Sequence, residues 1–110
     1  MTTPPMKTDE FDDVSKILSS PTEEVIDICI CQSETLDVRV NIKDRQTLYE
    51  VWFINARNVT FSYRAFPQTL YLNDLRNDQL EQINYRLEQD DYDGLELYCD
   101  ALALNQREIK

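Results

Sequence analysis

The chain has 110 residues, 42% of them hydrophobic, with 21 acidic side chains against 11 basic ones and a formal net charge of −10. This is enough apolar content for one core and one domain, and a charge unsuited to direct contact with nucleic acid or an anionic membrane, which both bind cationic surface. With no histidine and a single glycine, Gly94, the chain lacks the usual general base, the commonest metal ligand and any glycine-rich phosphate loop.

Met1 to Lys7 reads as a flexible, polar arm, without the apolar run of a signal peptide, ahead of one domain over 8–110. Thr8 is an N-cap before Asp9 and Glu10, whose charges suit a helix amino end. Phe11, Val14, Ile17 and Leu18 follow at helical spacing, and Ser19-Ser20-Pro21 ends the run.

The middle of the chain alternates. Ile26, Ile28 and Ile30; Leu36, Val38, Val40 and Ile42; Tyr49, Val51 and Phe53; and Val59, Phe61, Tyr63 and Ala65 each recur at every second position. That period marks four strands with one face in a core, and their short polar connections predict an antiparallel meander. Placing Ile28 opposite Val38, Val40 opposite Tyr49 and Phe53 opposite Phe61 puts every apolar series on one face. The opposite face then carries a row of alternating charge, Asp27, Arg39, Glu50 and Arg64, each cross-strand pair adding roughly 0.2–1 kcal/mol. Leu48, Trp52 and Ile54 share that outer face near Cys29 and Cys31, so this apolar corner requires a cover, either the amino-terminal helix or a second protein chain.

Beyond Pro67, Thr69 to Leu72 is a fifth strand or an extended link. Asn77 or Asp78 then caps a helix, with Glu81 completing a capping box and Leu80, Ile83 and Leu87 on one face. Asp90-Asp91 and Asp93-Gly94 break it, and Leu95, Tyr98, Ala101 and Leu102 form the stripe of a second helix. The predicted class is therefore α+β: a four-stranded, or five-stranded, antiparallel meander with a short amino-terminal helix and a carboxy-terminal αα-hairpin on its apolar face.

Three cysteines, Cys29, Cys31 and Cys99, are an odd number without a disulfide-scaffold spacing, which points to a reducing, cytoplasmic setting with free thiols. They fall short of a zinc set, and residues 89–100 depart from a calcium loop at its first position (Gln89), at Glu96 and at its closing position (Asp100). No cofactor, no metal and no catalytic residue is expected. Glu88, Asp90, Asp91, Asp93, Glu96 and Asp100 make an acidic run without a base. Held along a helix, such carboxylates would imitate a phosphate track and occupy a basic, nucleic-acid-handling site on a protein partner. Small acidic inhibitors of phages and mobile elements, DNA mimics and anti-CRISPR proteins among them, share this size and charge, though no motif ties the chain to them. The expected function is thus a non-catalytic protein-binding module, with no contact to nucleic acid or membrane. The alternative is a structural subunit that homodimerises or docks through the Leu48, Trp52 and Ile54 corner.

Overall fold

A computed structural model describes residues 11–20, 23–60, 70–76, 83–89 and 95–108. One helix, α1 (Phe11–Ser19), precedes eight strands: β1 (Glu23–Gln32), β2 (Leu36–Asp44), β3 (Thr47–Ile54), β4 (Arg57–Thr60), β5 (Leu70–Asp74), β6 (Tyr85–Gln89), β7 (Glu96–Cys99) and β8 (Ala101–Glu108). They form two four-stranded sheets, ordered β1-β2-β3-β8 and β4-β7-β6-β5. Every pairing is antiparallel.

The first three strands form the expected meander, but its register is displaced by two residues at each hairpin. Ile28 faces Val40, and Val40 faces Val51. The turns explain it: Gln32 pairs Leu36 around Ser33 to Thr35, and Asp44 pairs Thr47 around Arg45-Gln46. Arg45 has φ 59°, the positive value that two-residue hairpin turns require. A shift of two preserves which face each side chain occupies, so Val38, Val40, Ile42, Val51 and Phe53 are all fully buried. Each such side chain contributes roughly 1.5–3 kcal/mol. One face assignment does change. A bulge between Val25 and Asp27 turns Ile26 out to 42% exposure and sets Val25 in the core.

The fourth strand of this sheet is β8, not the predicted segment. Val59 lies in β4, which belongs to the second sheet and pairs β7. The rest of the predicted fourth strand, Phe61 to Ala65 with Arg64, lies outside the described residues. Leu70 to Asp74 is a true strand, paired with β6.

No carboxy-terminal helical hairpin exists among the described residues, and the α+β class is replaced by a mostly-β one. Residues 77–82, with the expected capping box, lie outside the description, but Tyr85–Gln89, Glu96–Cys99 and Ala101–Glu108 are all strands. The reason is a rival periodicity. Tyr85 and Leu87, and Leu95, Leu97 and Cys99, are buried at every second position, while Arg86, Glu88, Glu96 and Tyr98 between them are half-exposed. In runs this short the apolar residues also satisfy a helical spacing, and pairing with β5 and β4 decides for the strand.

One ribbon links the sheets. Ile54 pairs Ala101 in the first sheet and Arg57 pairs Tyr98 in the second, three residues further along on each side, so the register carries straight through the corner. Asn55, with φ 56°, makes the bend. Its N–H donates to Asp37 Oδ1 at 2.9 Å, and Thr35 Oγ1 donates to the same oxygen at 2.9 Å. The Ala56 N–H donates to the Leu36 carbonyl at 2.6 Å, and the Asp100 N–H to the Ile54 carbonyl at 2.9 Å. On the far strand Asn84 Nδ2 donates to the Asp100 carbonyl at 2.8 Å and to Asp100 Oδ1 at 2.9 Å.

The main core draws on both sheets and on Val14, Ile17 and Leu18 of α1. That helix packs on β5 and touches β1, with Phe11 stacked on Tyr85 at 6.0 Å between ring centroids. None of the described helices is long and apolar enough to cross a membrane.

Candidate functional site

On the outer face of the first sheet, Arg39 stands between Cys29 of β1 and Trp52 of β3. Its Nη2 lies 3.9 Å from Asp27 Oδ2, and its guanidinium sits 5.6 Å over the indole of Trp52. Asn41 Nδ2 also donates to Asp27 Oδ2, at 3.3 Å. The predicted charge row is therefore kept in part. Asp27 meets Arg39 diagonally because of the displaced register, whereas Glu50 Oε1 accepts the Trp52 Nε1–H at 2.6 Å. An open cleft of about 360 Å³ lies beside these groups, lined by Arg39, Glu50, Leu48 and Arg107 among others.

The expected apolar corner is closed within the chain. Trp52 is 0% and Ile54 3% exposed, clustered with Ala103 of β8 and flanked by Cys31 and Ala101. The amino-terminal helix does not cover it, since the buried residues of α1 belong to the other cluster. Leu48 remains half-buried at the cleft.

At the edge of this face, Cys29 Sγ and Cys31 Sγ are 3.3 Å apart, both thiols free and half-buried. Their spacing of two on a strand puts them on one face, which the sequence shows; the close approach it does not. Burial, and then contact with Cys29, pushes the Cys31 thiol above its ordinary value. Cys99 is inside the main core, and burial pushes its thiol up as well.

The acidic run falls into two groups. Asp90, Asp91 and Asp93 lie outside the described residues. Glu88 and Glu96 share one cation: Arg86 Nη1 is 3.2 Å from Glu88 Oε2, and Arg86 Nη2 donates to Glu96 Oε1 at 3.0 Å. The guanidinium also covers the Tyr98 ring at 5.6 Å. The Glu96 hydrogen bond in particular holds Arg86 above its ordinary value. Asp100 is engaged by Asn84 at the corner. These three carboxylates are on strands and a bend, so the helical track expected of Glu96 and Asp100 does not form. Reading Arg86-Leu87-Glu88 and Leu95-Glu96-Leu97 with a period of two would have brought Arg86 between its partners.

A further carboxylate pair went unread. Glu23 faces Asp44 across the β1–β2 ladder, and Ser20 Oγ donates to Asp44 Oδ2 at 2.8 Å. Glu23 Oε2 is buried without a hydrogen-bond partner. Burial, and then the Asp44 charge, push Glu23 up to about 7. Among the described residues no group of three or more cysteine or carboxylate ligands is placed to hold a metal.

No protein-family model matches the chain, and no curated protein or solved structure matches it.

Proposed function

We propose that the chain is a non-catalytic protein-binding module whose negative surface seats on a basic site of a protein partner, in its sharpest form an inhibitor of a protein that handles nucleic acid. The observation that carries this reading is where the charge lies. α1 and β1 together hold Asp12, Asp13, Glu23, Glu24 and Asp27 against the single base Lys16. Asp12, Asp13, Glu24 and Asp27 are exposed, as is Glu34 in the following turn. α1 touches β1, so these acids belong to adjoining elements, and Asp90, Asp91 and Asp93 add three more in sequence. Glu88 and Glu96 support the reading less, being already shared by Arg86.

The test is affinity capture from the native host's lysate at low and high salt, because contacts between exposed charges are screened beyond roughly 10 Å at 0.1 M salt. The partner should be held at low salt, released at high salt, and lost when Asp12, Asp13, Glu24 and Asp27 become Asn or Gln, or when Asp90, Asp91 and Asp93 become Asn. Retention that ignores both salt and neutralisation would sink the reading.

A further inference from the structure

We propose that Cys29 and Cys31 form a reversible dithiol–disulfide site that reacts with low-molecular-weight disulfides of the glutathione type. The two sulfurs already lie 3.3 Å apart, and a disulfide at about 2.05 Å needs them to close by little more than 1 Å. Both thiols are half-buried rather than sealed, which leaves them open to a small reagent. Their element suits the reaction. Among the described residues β1 is the edge strand of its sheet, paired on one side by β2, so it can bend without breaking a second ladder, and it is already irregular at Ile26.

The geometry also makes the bridge reversible. Positions i and i+2 of a strand are about 6.6 Å apart between Cα atoms, near the upper end of what a disulfide spans. Closure therefore strains the strand, and strained bridges are the easily reduced ones. With one residue between the cysteines the entropic gain from loop closure is small.

Cys29 faces Arg39 in register, whereas Cys31 faces the buried carboxylate of Asp37 and packs on the Trp52 cluster. Cys29 is accordingly the attacking sulfur. Its thiolate, having given its proton to solvent, attacks one sulfur of the reagent. That S–S bond breaks, and one reagent thiol leaves, taking up a proton. Cys31 then loses its proton, attacks Cys29 Sγ in the mixed disulfide, and expels the second reagent thiol. Two electrons pass from the chain to the reagent, which ends as two thiols.

The full chain is incubated with oxidised glutathione and followed by intact mass and by the emission of Trp52, the chain's one tryptophan. The wild type should lose two hydrogens with a change in Trp52 emission, and reduced glutathione should reverse both. Cys31→Ser should stop as a single glutathione adduct on Cys29, and Cys29→Ser should react at least about tenfold more slowly. Cys99→Ser, with a native circular-dichroism spectrum, should behave as wild type. A wild type that accumulates the adduct without bridging, that bridges only between copies, or whose bridge resists reduced glutathione would overturn the proposal.

Discussion

Asp37 is the one buried charged side chain among the described residues, at 3% exposure. Its Oδ1 takes hydrogen bonds from the Thr35 hydroxyl and the Asn55 N–H, so a single oxygen fastens the bend where the chain passes between sheets. Asp37→Ala would strand the Asn55 N–H, and leaving such a donor unmet costs about 1–3 kcal/mol. Asp37→Asn, which keeps a carbonyl acceptor, should lose less, and Asn55→Gly should be nearly neutral because glycine accepts the positive φ at Asn55. Urea midpoints at constant slope check the order; an Asp37→Ala chain as stable as wild type would contradict it. Glu23 makes a second residue-scale prediction, with the sign set first by burial and then by the Asp44 charge. Because its pKa is raised from 4.5 to about 7, the folded chain holds the proton more tightly than the unfolded one. The stability this brings is complete below pH 4.5 and lost as pH rises through 7. Glu23 is partly exposed, so solvent screening reduces the effect to about 1 kcal/mol. Glu23→Gln should match wild type near pH 4 and exceed it by that amount at pH 8, in urea unfolding at the two pH values.

At the scale of elements, Arg86 joins β6 to β7. Its two partners, Glu88 and Glu96, lie just beyond the Leu87–Leu97 pair that ends the ladder, one on each strand, and without the cation they repel. Arg86→Ala should therefore cost more than either Glu→Gln change, about 1–2 kcal/mol for pairs this exposed, and the loss should shrink in high salt. In a double-mutant cycle of Arg86→Ala with Glu96→Gln, a coupling below about 0.3 kcal/mol would contradict the pairing. The same two strands show what sequence alone could reveal. Strands β1 to β3 are legible because each runs for eight residues or more with apolar residues at every second position, interrupted in β1 by the bulge at Ile26, and the face of Arg39, Trp52 and both cysteines is legible with them. Their register is not, because parity fixes the face while the turn fixes the partner, and the bend at Arg45 depends on a positive φ in a residue without that preference. Leu95 to Leu104 was misread because four-residue β7 is too short for its period to exclude a helix. Its conformation is decided by pairing with β6, the strand before it, and with β4, which lies far earlier in the chain.

The whole molecule depends on the ribbon of Thr47–Thr60 against Glu96–Glu108, the covalent link that runs through both sheets. β8 supplies the fourth strand of the first sheet, and its Leu102 and Ala103 are fully buried, one in each hydrophobic cluster. Removing residues 101–110 would take Leu102 from the main core, roughly 1.5–3 kcal/mol by itself. It would also uncover Trp52 and Phe53 and leave unpaired the ladder donors and acceptors of β3 that face β8. Domains of this size are stable by roughly 5–15 kcal/mol in total, so the sum of these losses approaches the whole. A chain ending at Asp100 should therefore lack a cooperative urea transition and show Trp52 emission shifted to the red, as for an indole in water. Retained cooperativity with a blue-shifted Trp52 would mean that the first sheet stands without β8. The corner would then be a junction between independent halves rather than the brace of a single fold.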